Sequence, residues 1–236
     1  EGFEIRPAEE ADLLEGRGIG TRGGALAAAY HEAIFRAAGL APGADGGFVQ
    51  PVPMIEFLPD PQAGITVTRD GSSLVFATGE DFALVNAGLS EGVLRARPLF
   101  VGYGIESAAD GWDDFKGADV RGRLLVGLVN EPGRDDPKRF GGRALTLHGR
   151  WRTKLELAAR HGAAGMLLIH TDEDAGYGWP VARSTATRPT LGLAEDPARL
   201  PMGGWIREPA ARALMRLAGL DPDELRRRAE RRSFRP

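Results

Sequence analysis

Cysteine is absent from all 236 positions. Disulfide staples, thiol nucleophiles and cysteine-ligated metal centres are therefore excluded. Histidine is scarce, with four residues in the chain, so a metal centre built on several imidazoles has few donors to draw on. No apolar run approaches the roughly 18 to 20 residues that cross a bilayer, the longest candidates being RLLVGLV and AAGMLLIH. No membrane span is expected. A dominant charge sign is missing too, since 30 basic residues face 33 acidic ones for a net charge of −3. That balance argues against nucleic acid as the partner. No G-x-S-x-G elbow occurs and no serine shows a local activating motif, so nucleophilic catalysis has no visible support.

What remains is the composition of an ordinary globular protein, 42% hydrophobic and 27% charged, long enough for one large domain or one domain plus part of another. The chain opens on Glu1 rather than Met. We read that as a processed secreted protein, or a trimmed chain whose signal peptide is not visible. Two textures follow one another, changing near the proline-rich FVQPVPMIEFLPDPQ, and the boundaries expected are residues 1–52 and 53–236. The first part reads as helix, glycine loop, helix. In GGALAAAYHEAIFRAAGL the residues Leu26, Tyr30 and Ile34 recur every four positions, and Gly39 then Pro42 supply a stop. Beyond Gln62 strands dominate. Asp70-Gly71 inside ITVTRDGSSLVF signals a hairpin. Further strands are expected at RPLFVGYGI, RLLVGLV, GMLLIH and PTLGL, with a helix at WRTKLELAARHG closed by Gly162. Two helices end the chain, the second with Asp221 as N-cap and Pro222 at its first position.

Several chemical signals weaken when each required position is checked. GIGTRG, residues 18–23, satisfies G-x-G-x-x-G, yet it follows the charged RPAEEADLLE instead of an apolar strand, and no acidic residue ends a strand about 20 residues on. A turn between two helices is the favoured reading. His170-x-Asp172 at the end of an apolar strand offers two potential metal ligands, although a co-catalytic pair needs about five side chains. HEAIF lacks the second histidine of a zincin, and DEDAGYG lacks the glycine and closing glutamate of a calcium loop. Asp113-Asp114 suits turn and hydrogen-bonding roles better than a shared proton. The arginines from Arg226 to Arg235 are interleaved with Asp221, Asp223, Glu224 and Glu230, as in a solvated helix with i to i+4 pairs. Arg150, Trp151, Tyr177 and Trp179 flank one helix–strand unit and form either a substrate- or partner-facing patch or part of the core.

Taken together, these stretches resemble one known arrangement. LLEGRGIGTRGGALAAAY resembles the N-terminal segment of secreted zinc aminopeptidases of metallopeptidase family 28, at Leu14, Gly16, Arg17, Gly20, Thr21 and Gly23. LFVGYGIESAADGWDDFKGADVRGRLLVGLVNEPG and GRWRTKLELAARHGAAGMLLIHTDEDAGYGW look like the protease-associated (PA) domain inserted in such enzymes. The resemblance implies an α/β fold with a swivelling β-barrel or β-sandwich core and flanking helices, preceded by a helical segment of the peptidase unit. It also implies secretion or a place in the cell envelope, and a lid or selector role beside the catalytic domain of the same polypeptide, acting on a peptide or protein substrate. The family's two zinc ions belong to that catalytic domain, after the PA domain. No catalytic or metal residue is carried over to this chain: His170 and Asp172 fall in the PA strand, and Glu9-Glu10 comes too early. A stand-alone peptide- or protein-binding module is the alternative. A complete enzyme using His148, His161 and His170 is a third.

Overall fold

The computed structural model describes residues 16–43, 46–85, 92–196 and 199–236. Leu14 and Glu9-Glu10 lie outside them. The chain divides into two compact units, residues 1–53 and 54–236.

In the first unit, helix α1 (Arg22–Ala37) starts at Thr21, whose hydroxyl accepts from the Gly24 N–H at 3.1 Å and donates to the Gly18 carbonyl at 2.7 Å. This caps one of the free N–H groups of the first turn. Gly16, Arg17 and Gly20 all have positive φ, so the glycine stretch is a tight left-handed turn into the helix. A Cβ on Gly24 would sit 2.3 Å from the Gly18 carbonyl oxygen. The loop thus folds over the first helical turn. Gly39, at φ 70°, lets the chain leave the far end.

The second unit is mixed α/β. Its strands are β1 (Met54–Phe57), β2 (Gly64–Arg69), β3 (Ser72–Ala77), β4 (Phe82–Leu84), β5 (Pro98–Phe100), β6 (Glu106–Ser107), β7 (Trp112–Asp113), β8 (Leu124–Leu128), β9 (Gly165–His170), β10 (Thr190–Leu193) and β11 (Met202–Arg207). Among the described residues five α-helices accompany them: α2 (Trp151–Arg160), α3 (Asp172–Ala175), α4 (Trp179–Arg183), α5 (Glu208–Leu217) and α6 (Pro222–Ala229). The main sheet runs β4-β11-β9-β8-β5, with β5, β8, β9 and β11 mutually parallel and β4 antiparallel at one edge. Among the described residues the other sheets are the two-stranded pairs β1-β10, β2-β3 and β6-β7. The β2-β3 turn has Asp70 at φ 49° and Gly71 at φ 79°. That is the primed geometry a tight hairpin requires.

Every residue of β8 and β9 is buried, as expected where both faces of a parallel sheet are covered. Alternation divides them between two cores. Leu124, Val126, Leu128, Leu167 and Ile169 pack with Ala211 and Leu214 of α5 and Leu225 of α6. Leu125, Met166 and Leu168 pack with Leu155 and Ala158 of α2 and with Trp205. Each such leucine contributes about 2 kcal/mol by leaving water.

Strands β1, β4, β6, β7 and β11 have no counterpart in the sequence reading. In β11 the reason is glycine, which weakens strand propensity. Here it is sterically required. A Cβ on Gly204 would lie 2.2 Å from the Ala83 carbonyl oxygen, and one on Gly165 would lie 2.7 Å from that of Met202.

Candidate functional site

Open parallel sheets offer ligands the region outside the carboxyl ends of their strands. Here the ends of β5, β8 and β9 gather buried polar groups. Lys154 belongs to the buried face of α2, in phase with Leu157 and Ala158, and is 1% exposed. Its ammonium donates to the carbonyl oxygens of Tyr103 at 2.6 Å, Leu128 at 3.1 Å and Asn130. All three of its N–H donors are thereby used. Burial pulls this ammonium down to about 7, while Asp114 and Glu131 favour its charge. The three carbonyl acceptors also favour the protonated form.

Two buried carboxyls complete the cluster. Asp114 is fully buried and accepts the Ile105 N–H at 3.0 Å through Oδ2. Burial raises it to about 6, against the opposing effects of the Ile105 N–H, Trp112 and Lys154. Glu131 accepts from the Thr146 and Gly149 backbone N–H groups and from the Thr146 hydroxyl. A Cβ on Gly149 would approach the Glu131 carboxyl carbon to 3.1 Å. The loop 134–149 is thus closed tightly onto the end of β8.

A second layer joins the same strand ends to α6. The Tyr103 hydroxyl donates to Glu230, whose other oxygen accepts the Gly133 N–H at 2.9 Å. Burial first, and the Glu230 carboxylate second, push the phenol above its ordinary range. Arg226 donates to Asp174 at 2.5 Å, and Asp174 also accepts from Arg134 and from the Thr171 hydroxyl. Asn130, at φ 63°, donates its side-chain amide to the Asp174 carbonyl. These carboxylates and cations neutralise one another. What the cluster does chemically is hold three strand ends, a loop and a helix in register.

His170 lies beside this cluster, 2% exposed and walled by Tyr177, Trp179 and Trp205 at ring distances of 5.3, 5.3 and 5.9 Å. Its Nδ1 is 3.7 Å from Asp172 and its Nε2 has no protein partner. Burial lowers its pKa, with Asp172 opposing, so the ring is neutral at pH 7. Two donors and an aromatic wall do not fit a zinc centre. Among the described residues no three His, Asp or Glu side chains are grouped to hold a metal ion. His161 instead pairs with Glu106 at 2.9 Å while stacking on Phe115, and His148 faces Asp110 at 3.9 Å. His31 bonds its own helix at Ala27.

The expected patch is divided. Arg150 is exposed and Trp151 and Tyr177 are half-buried. Trp179 is 7% exposed and donates its indole N–H to the Gly79 carbonyl at 3.0 Å. Of the two readings, Trp179 takes the core one, because its donor and its ring are both satisfied in the interior. Gly16, Arg17, Gly20, Thr21 and Gly23 form the turn and first helical positions described above. Asp113 takes a turn role, accepting the Phe115 and Lys116 N–H groups at 2.7 and 2.8 Å. Two clefts flank the sheet, of about 30 Å³ beside Trp151, Leu155 and Gly203 and about 20 Å³ beside Phe100, Ala211 and Met215. Each has room for one or two water molecules.

Sequence reasoning missed Tyr103, Glu131, Lys154, Asp174 and the inward role of Glu230. One signal was available for Lys154: a lysine in phase with the apolar residues of an amphipathic helix. Compared with protein-family models, curated proteins and solved structures, the chain matches none.

Proposed function

We propose that this chain is the protease-associated module, preceded by a short segment of the peptidase unit, of a secreted or periplasmic family-28 zinc aminopeptidase. In that enzyme it acts as a lid that limits the access of peptide or protein substrate. The parent's two zinc ions and its hydrolysis of N-terminal peptide bonds belong to the catalytic domain of the same polypeptide. One observation carries the reading. The two stretches that resemble the PA domain, residues 99–133 and 149–179, supply the adjacent strands β5, β8 and β9, and Lys154 of the second ties together carbonyls of the first. Their distinctive polar residues Asp114, Glu131 and Lys154 are engaged in the scaffold, as suits a module that shapes access and leaves chemistry to another domain. The mixed α/β sheet with α2 between β8 and β9 supports the same reading.

Zinc analysis and an aminoacyl-anilide assay test it. This chain alone should hold no stoichiometric zinc and show no turnover, and a polypeptide extended through a following His-x-Asp strand should gain both. In the extended enzyme, deleting residues 98–207 should broaden the range of peptide lengths cleaved. Turnover with bound zinc by this chain alone overturns the proposal. An extended chain that stays inactive overturns it in favour of a free-standing binding module.

A further inference from the structure

Three of the four carboxylates interleaved with the C-terminal arginines, Asp221, Asp223 and Glu230, are turned elsewhere by the fold. Asp221 caps α6, accepting the Asp223 and Glu224 N–H groups at 2.8 and 3.2 Å. Asp223 forms a two-pronged pair with Arg212 at 2.7 and 2.8 Å. Glu230 faces inward to Tyr103 and Gly133. Of the arginines, Arg226 alone is drawn in, to Asp174. Arg227, Arg228, Arg231, Arg232 and Arg235 are exposed. Among the described residues none of the five has a carboxylate within ion-pair distance. Glu224 is exposed on the same side of α6 and pairs with neither Arg227 nor Arg228. The helix buries Pro222, Leu225 and Ala229, so Arg227 lies on the side facing away from the core and Arg228 next to it.

We propose that this arginine face is an electrostatic docking surface for an anionic phospholipid bilayer. Guanidinium groups bind phosphate oxygens in a two-pronged geometry that lysine does not reproduce, and residues 222–236 contain no lysine. Arg227 and Arg228 lie on α6, whose apolar side chains are packed inward, and Arg231, Arg232 and Arg235 follow it, so the group presents no exposed aromatic anchor of the kind that concentrates protein–protein affinity. It also lacks aromatic platforms for stacking bases. A broad layer of phosphate headgroups fits such a surface. Positive charges held near it bind additively and within about one Debye length, roughly 10 Å at 0.1 M salt.

Co-sedimentation with vesicles tests this on the chain as it stands. Phosphatidylglycerol vesicles should retain it at about 50 mM salt, phosphatidylcholine vesicles should not, and about 500 mM salt should release it. Each Arg→Gln change among the five should weaken binding about fivefold. Arg227→Lys/Arg231→Lys should retain more binding than Arg227→Gln/Arg231→Gln. Thermal unfolding of each variant should stay near that of the parent, and where a single variant unfolds, the double variants carry the comparison. No retention on phosphatidylglycerol, or retention unchanged by the double Gln variant, overturns the proposal. So does tighter binding to a duplex oligonucleotide, an acidic polypeptide or free polyphosphate than to vesicles.

Discussion

The Lys154 ammonium lies 2.6 Å from the Tyr103 carbonyl oxygen, joining α2 to the end of β5 across 51 positions of chain. With the carbonyls of Leu128 and Asn130 it closes a three-point clamp in the interior. Removing the cation leaves three carbonyls and the Asp114 and Glu131 carboxyls without it. Lys154→Met should therefore destabilise by about 3 to 5 kcal/mol even though methionine fills much of the space. Urea unfolding measures it, and a loss below about 1 kcal/mol would show the clamp to be dispensable.

Asp114 makes stability depend on pH in a direction opposite to that of surface carboxylates. Its pKa rises from 3.8 to about 6 on folding, so between those values the folded chain holds a proton that the unfolded chain has lost. Stability from this group is full below about 3.8 and is lost as pH rises through 6, by about 3 kcal/mol in all. The difference in melting free energy between the parent and Asp114→Asn, followed from pH 4 to pH 7, should show that slope.

Lys154 works the other way at higher pH. Its folded value near 7 lies below its ordinary 10.5, so between the two the unfolded chain binds the extra proton. Its contribution to stability therefore rises with pH across that window. Lys154→Met should remove this rise, read from unfolding curves at pH 7 and pH 9.5.

Tyr103 and Glu230 couple the end of β5 to the segment after α6, 127 positions away. Tyr103→Phe should cost about 1 to 2 kcal/mol. The double variant with Glu230→Gln should cost less than the sum of the single changes. An additive result in that double-mutant cycle would mean the pair is not energetically linked.

Gly204→Val should break the edge of the main sheet. Its Cβ would meet the Ala83 carbonyl at 2.2 Å and the Leu84 Cα at 2.8 Å, backbone atoms that yield only if β4 leaves the sheet. A loss of more than about 3 kcal/mol is expected. Hydrogen exchange should show lost protection at residues 82–84.

Elements announced by neighbouring residues were legible in the chain itself. Asp70-Gly71 gave the hairpin, Asp221 the cap of the last helix, and the apolar runs at 124–128 and 165–170 the two central strands. Those signals act through φ preference, capping and periodicity, which operate within a few residues. Tertiary structure alone decided that Trp179 is core, that Gly203-Gly204 forms a strand, that Lys154 is a buried clamp, and that Glu230 turns inward while five arginines face out. Each depends on partners 51 to 127 positions distant or on another strand, because burial and charge pairing are set by whichever segments pack together. Local sequence carries no record of those partners.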